Sequence, residues 1–258
     1  MKPLAEQGYI ILAQNTENIN YVHCAETLAK TIKFYHPDAK ICLLTDEKVG
    51  PGFLFDFVHK FPHPVSEHAW ANDWQVFEAT PYRETIKLEA DMILASEFDH
   101  WWTMFEHRDV VISQGCRDYH DQPSTNRYYR KFIDQNLLPD VYNAITYWRL
   151  SKTAQQFFDL VRQIFQNWTE FRRLVKFSED TPSTDFVYAM AAEIIGRERV
   201  TLPFATYPRI VHMKQRHIGT QTEQWAQELV WEQSDKGLRI NTVEQWGALH
   251  YGRGWNYL

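Results

Sequence analysis

Glu89 and Asp91, separated only by Ala90, are the residues of this chain best placed to do chemistry. They follow Thr85-Ile86-Lys87-Leu88, which reads as a short strand, and precede the apolar Met92-Ile93-Leu94. On an extended segment residues i and i+2 project to one side. The two carboxylates are therefore expected to point together while Ala90 faces the sheet. Neighbouring carboxylates at the end of a buried strand repel each other and lose hydration unless a cation lies between them. Mn²⁺ or Mg²⁺ suits such oxygen donors and keeps coordination positions open for phosphate. An isolated acid-x-acid triplet also occurs as a solvated strand end, so its meaning rests on its surroundings.

Those surroundings alternate strands with helices. Residues 8–14 are almost continuously apolar, as in a strand buried on both faces. A helix is expected over about 19–35, with Tyr21, Val22, Ala25, Leu28, Ala29 and Ile32 on one face. His36-Pro37-Asp38 stops it, and residues 40–45 form a second buried strand ending in Asp46. Strand, helix and strand at this spacing make a parallel βαβ unit. Residues 110–113 and 142–148 read as strands, and 209–213 and 238–241 as short late ones. Ser151 is expected to cap a helix that buries Phe157, Phe158, Val161, Ile164, Phe165 and Trp168. Thr184 is expected to cap another, closed by Gly196. Such a chain gathers ligands at the carboxyl ends of its strands. Residues 13–16, Asp46 and the Glu89–Asp91 triplet all fall at such ends.

The stretch TPYRETIKLEADMIL, residues 80–94, resembles the pattern SPYxKTLxLDADMxV around the metal-binding Asp-x-Asp of A-type-fold glycosyltransferases. The likeness is to the glycogenin and bacterial galactosyltransferase group, with Glu89 in place of the first Asp. The resemblance implies an α/β fold, a single GT-A-type Rossmann-like domain with a mixed, mainly parallel central sheet. It would span residues 1–258, with a nucleotide-binding half at about 8–115 and an acceptor half at about 116–258. Residues 8–46, with YIILAQNT and NYVHCAETLAKTIKFYHPDAKICLLTD, resemble the opening nucleotide-binding unit of the same group, by which Ala13, Gln14 and Thr16 line the nucleoside pocket and Asp46 holds the base or ribose or, equally, forms a turn. Tyr21 stacks on the base or, equally, packs as a core residue. Arg83 meets phosphate or sugar, while Lys87 is expected to be an ordinary exposed residue of an alternating strand.

YNAITYW, residues 142–148, resembles the strand FNAGVxxF that lines the sugar pocket, which assigns Asn143 to a sugar hydroxyl. PSTDFVYAMAA, residues 182–192, resembles the segment carrying an acid near the donor sugar, which assigns Asp185, although an acid in a helix first turn also serves the helix dipole. ALHYGRGW, residues 248–255, resembles the late segment HYxGxxKPW, in which a His binds metal and a basic residue meets phosphate. That favours His250 with Arg253. His212 with Lys214, in RIVHMK, competes for the same part.

The chain has 258 residues, enough for one core. Its net charge of −6 gives no global attraction to nucleic acid or anionic membrane. Three Cys without zinc or disulfide spacing suggest a reducing compartment. No apolar run reaches membrane-spanning length and no signal-like start is present, so a cytoplasmic location is expected, with no membrane or protein partner. Residues 117–131 mix four cationic residues with three Tyr, and Arg209, Lys214 and Arg216 lie in a second basic stretch. Cations with interleaved aromatics suit a nucleic-acid groove, although solvated charged loops look the same.

The compact chain also resembles small phage-encoded glycosyltransferases, which implies duplex DNA bearing 5-hydroxymethylcytosine as the acceptor, flipped into the site. The expected activity is metal-dependent transfer from a nucleotide-diphosphate sugar, a UDP-sugar by resemblance, with the anomer retained. A saccharide acceptor and a catalytically silent sugar-nucleotide-binding module are the alternatives. A nucleotidyltransferase is disfavoured, because AQNTENIN lacks the Gly-rich phosphate loop.

Overall fold

The computed structural model describes residues 3–66, 68–124, 127, 129–203, 208–213, 229–234 and 237–251. Strand β1 (Ala5–Leu12) leads through helix α1 (Tyr21–Tyr35) to β2 (Ile41–Leu44) and β3 (Phe57–His59). A 3-10 segment, Ala69–Gln75, runs into α2 (Val76–Ala79), then β4 (Tyr82–Glu89) and β5 (Met92–Leu94). Next come α3 (His100–Phe105), β6 (Val110–Gln114), β7 (Cys116–Arg117), β8 (Pro123–Ser124) and α4 (Arg130–Gln135). The long β9 (Val141–Arg149) precedes α5 (Lys152–Gln166), α6 (Trp168–Leu174) and α7 (Thr184–Ile195). The late strands are β10 (Ile210–His212), β11 (Trp231–Ser234), β12 (Gly237–Ile240), β13 (Val243–Gln245) and β14 (Ala248–His250).

The main sheet has the order β3-β2-β1-β4-β9-β6. Its pairings are parallel from β3 to β4 and antiparallel at β4–β9 and β9–β6. The expected mixed, mainly parallel α/β sheet is therefore present. Both faces are covered, which accounts for the unbroken apolar run in β1. Tyr9 and Ile11 pack with Ala25, Leu28 and Ile32 of α1 in one apolar cluster. Ile10 packs with Phe157 and Val161 of α5 and Phe186 of α7 in the other. Gly8 is required here, because a Cβ on it would lie 2.4 Å from the Tyr82 ring across the β1–β4 pair.

A second sheet, β5-β14-β10-β7-β8, stands beside the first and joins residues distant in sequence. In it β14 runs parallel to β10 and antiparallel to β5. The small sheet β11-β12-β13 completes the described strands. Asn20 caps α1 and Ser151 caps α5, each accepting a backbone N–H three residues on. The cap expected at Thr184 is displaced by one residue: Ser183 is the flanking residue, and Thr184 begins α7. Gly196, at φ +100°, ends that helix as its sequence implies. No described helix is long and apolar enough to cross a membrane.

Candidate active site

Strand β4 delivers Glu89 to the carboxyl end of the main sheet, and the chain turns at Ala90 and Asp91 before β5. The two carboxylates therefore do not project from one extended strand, as the i, i+2 spacing suggests. They converge across a turn, and a third residue closes the group. Pairing of β14 with β5 sets His250 opposite Met92, and Tyr251 N donates to Asp91 O at 3.1 Å. His250 Nε2 lies 3.0 Å from Asp91 Oδ1 and 3.3 Å from Glu89 Oε2. Ligand atoms of Glu89, Asp91 and His250 all fall within 4.8 Å of one another.

The electrostatics of this group favour a cation. Loss of water around Glu89 pushes its carboxyl up to about 7; His250 and Lys87 oppose the shift, while Asp91 and Asp185 add to it. Two carboxylates and one imidazole, gathered and partly dehydrated, form a donor set that fits a divalent ion. The imidazole favours Mn²⁺ over Mg²⁺, which prefers oxygen ligands throughout.

Behind His250 stands Tyr142 on β9, fully withdrawn from water. Its hydroxyl hydrogen-bonds Nδ1 of both His250 and His212. Register puts His212 beside His250 on the parallel β10–β14 pair. Gly247, at φ +79°, makes the turn into β14, where a Cβ would lie 2.4 Å from Arg209 O. His250 thus presents Nε2 to the carboxylates and Nδ1 to Tyr142, an arrangement that fixes ring orientation. His212 is placed behind Tyr142 and outside the three-residue group, in keeping with the preference for His250 over its competitor.

A buried polar network underlies the carboxylates. Lys87, on β4, is 1% exposed rather than solvated, because a central strand covered on both faces has no open side. Its Nζ lies 2.7 Å from Asp73 Oδ2 and donates to Asn143 O at 3.0 Å. Burial disfavours the ammonium charge, but Asp73 and Glu89 more than offset that, so its pKa is raised. Asp73 Oδ1 accepts from the Tyr188 hydroxyl and from Asn143 Nδ2, the latter at 3.3 Å.

Asn143 is wholly buried, and its side-chain oxygen accepts from Thr146 Oγ1. Its amide is thus engaged by Asp73 and Thr146, where the resemblance has a sugar hydroxyl meet it. Its backbone does something else: Asn143 N donates to Asp185 Oδ1 at 2.7 Å, while the Tyr129 hydroxyl donates to Oδ2. Asp185, in the first turn of α7, is held close enough to Glu89 to raise its pKa. Nothing in the sequence motifs singles out Asp73, Tyr129, Tyr142 or Tyr188. For Asp73, and through it Tyr188, the signal is a lysine inside an otherwise apolar central strand, which demands a buried partner.

The expected nucleoside residues divide. Gln14 lies on the rim beyond β1, where its side chain accepts from Asn72 Nδ2 at 2.7 Å. Thr16 and Asp46 are exposed at the carboxyl ends of β1 and β2, and Tyr21 is half-buried at the start of α1 against the core. Ala13 is fully buried, its side chain in the apolar cluster.

Arg83 is at the wrong end. At about 3.3 Å per residue it lies about 20 Å from Glu89 along β4. There it faces Glu6 at 3.5 Å, apart from the carboxylates that its expected phosphate or sugar contact would adjoin. Lys214, Arg216 and Arg253 lie outside the described residues.

The basic segment 117–131 is also changed by folding. Arg127 is 8% exposed and paired with Asp140, and Arg130 bonds Asp134 at 2.9 Å and Asp140 at 2.5 Å. Arg117 faces Asp121 at 3.6 Å. Arg209, from the second basic stretch, pairs with Asp121 at 2.6 Å and lies over Trp246. Among the described residues these four arginines are matched by carboxylates and brace loops, while Lys131 stays exposed.

The architecture recurs in solved glycosyltransferases. The galactosyltransferase LgtC, solved with donor and acceptor sugar analogs, superposes with a TM-score of 0.52 at 12% identity, over 95% of this chain and 87% of that one. The apo form of the glycosyltransferase GlyE from Streptococcus pneumoniae TIGR4 gives 0.52 at 11% identity, over 98% of this chain and 57% of GlyE. At such identities the likeness is one of fold. No protein-family model and no curated protein matches the sequence.

Proposed function

We propose that the protein is a metal-dependent glycosyltransferase acting on a nucleotide-diphosphate sugar, a UDP-sugar by the resemblance of residues 8–46, with a saccharide hydroxyl as acceptor. The observation that carries this reading is the convergence of Glu89, Asp91 and His250 at the carboxyl end of β4. That is where open α/β sheets bind ligands. A bound Mn²⁺ or Mg²⁺ would neutralise charge on the leaving diphosphate.

The chain's own residues do the rest. Asp185, fixed through both carboxylate oxygens, sets negative charge beside the place where the departing sugar becomes electron-poor. Lys87 and Asp73 hold Asn143, and through it Asp185, from below. Gln14, Thr16 and Asp46 stand on the same rim, suited to the nucleoside. In this reading residues of about 8–115 bind nucleotide and those of about 116–258 serve the acceptor, within one domain, and the anomer is retained.

A hydroxymethylated cytosine in DNA is the acceptor that the phage-enzyme resemblance and segment 117–131 together imply as a sequence. Its support weakens once the arginines there are matched by carboxylates, and the saccharide moves ahead. The experiment is a panel of nucleotide sugars incubated with the protein and Mn²⁺, reading free sugar and nucleotide released. Release from one donor, abolished by chelation, is expected. Binding without any release makes the protein a silent binding module, and no binding of any nucleotide sugar overturns the proposal. With the donor fixed, proton NMR of the product reports the anomer. Transfer to duplex DNA carrying 5-hydroxymethylcytosine, with none to saccharides, would restore the DNA acceptor.

A further inference from the structure

The 3-10 segment Ala69–Gln75 has two sides with opposite fates. Inward, Asp73 is locked to Lys87, Asn143 and Tyr188. Asn72 donates to Gln14 Oε1 at 2.7 Å and Ser66 O at 3.1 Å, and accepts from Ser66 N at 2.8 Å. Outward, Trp70 remains 43% exposed and stacks on His68, with ring centroids 5.4 Å apart and planes 21° from parallel. The segment also touches α7, where Thr184 Oγ1 donates to Trp70 O at 3.4 Å. Thr184 is followed directly by Asp185. The aromatic pair thus rises from a segment tied through Asn72 to Gln14 and through the Trp70 carbonyl to Thr184, the residue before Asp185.

Exposure alone identifies nothing, because single exposed apolar residues are ordinary on protein surfaces. Phe53 is more exposed still, at 88%, and lies in a bend between β2 and β3, away from the carboxyl end of β4. Trp70 differs in its anchorage and its place. The anchorage matters because a platform already fixed loses little conformational entropy when a ligand arrives. The occupant it suits has one apolar face and a polar edge. A pyranose has both: a face of C–H groups to lie on indole, and hydroxyls at its edge for an imidazole or carboxylate to meet.

We propose that Trp70 and His68 form a stacking shelf for a hexopyranose ring of the acceptor, beside Asp185. The shelf narrows the acceptor to a saccharide presented ring-on, and so rests on the glycosyltransferase reading. An exposed Trp is also a fair partner for a nucleobase, and the test separates the two.

Saturation-transfer NMR is run with UDP and Mn²⁺ present, using methyl glucoside, methyl galactoside, methyl mannoside, N-acetylglucosamine, lactose and maltose as probes. Wild type, Trp70→Ala, Trp70→Phe and His68→Ala are compared, with UDP affinity measured separately by calorimetry and folding by thermal melting. At least one sugar is expected to bind through ring C–H protons, to weaken about tenfold or more in Trp70→Ala, and to be largely kept in Trp70→Phe. His68→Ala is expected to fall between them, with UDP affinity equal in all four proteins. Sugar binding equal in wild type and Trp70→Ala overturns the shelf, as does failure of wild type to bind any of the six at millimolar concentration. A loss of UDP affinity in Trp70→Ala gives the ring to the nucleobase and also overturns it. If wild type binds sugar through Trp70 but no UDP, the shelf stands and the glycosyltransferase reading falls.

Discussion

Two clusters of charge stand out along the sequence, and folding treats them differently. Segment 117–131 looks basic as a string, yet Arg117, Arg127 and Arg130 each meet an aspartate. The end of β4 looks modest, two acids among apolar residues, yet it gathers Glu89 and Asp91 against one imidazole, with Lys87 already engaged by Asp73. A cluster matched within the fold is architecture. A cluster left with surplus charge of one sign, and partly dehydrated, asks for a partner from outside. Counting charges along a chain cannot separate the two, because the matching residues come from elsewhere.

The contrast can be broken most sharply at Asp91. Asp91→Asn removes charge with little change of shape, so turnover of the nucleotide sugar should fall about a hundredfold or more while melting changes little. Wild-type donor release at low Mn²⁺ would take Asp91 out of any metal site. Next is Lys87. Lys87→Met strands a buried aspartate and should cost about 3–5 kcal/mol in urea denaturation. The pair Asp73→Asn with Lys87→Met should recover much of that stability yet stay slow in turnover. Full recovery of both would make the pair a strut with no bearing on the site.

Acidity gives a smaller, graded test. Folding raises Glu89 from 4.5 to about 7, so between these values the folded protein holds a proton that the unfolded chain has released. Without metal, stability should therefore decline as pH rises from about 4.5 to 7, and Glu89→Gln should flatten the slope. Mn²⁺ must displace the same proton. Its apparent affinity should climb up to about tenfold per pH unit below about 7 and level off above, with proton release visible by calorimetry in different buffers. A pH-independent affinity over that range would show that Glu89 stays out of the metal's reach. The smallest effect is expected on the other side of the comparison: Arg127→Ala should lower the melting temperature while leaving donor release unchanged. Loss of transfer to DNA in that variant, with melting unaltered, would return the segment to a role in holding nucleic acid.

The parallel core is legible because β1 and β2 are apolar throughout, and only a sheet covered on both faces asks for that. The acid triplet is legible from its own residues. His250 and His212 cannot be ranked by residue type alone, since each follows a short apolar strand. What separates them is register, set by the Gly247 turn and by β14 lying against β5. Lys87 defeats the expectation of exposure because alternation describes a one-sided strand, and β4 is covered on both sides. Arg83 is close to Glu89 along the chain, but an extended strand turns that closeness into distance. Asp73 lies in a short 3-10 segment that leaves no periodic trace.

The placement of His250 has a consequence for how the protein comes into being. Glu89 and Asp91 are translated early, and β14, which brings the imidazole to them, comes far later. A nascent chain halted before β14 could hold the βαβ core and both carboxylates, but it would lack the third donor. Cation capture would then begin only when β14 slots between β5 and β10. Bound metal would in turn oppose its release, since anything that binds only the finished form stabilises it by mass action. During synthesis the ion would act as a clasp, fastened last.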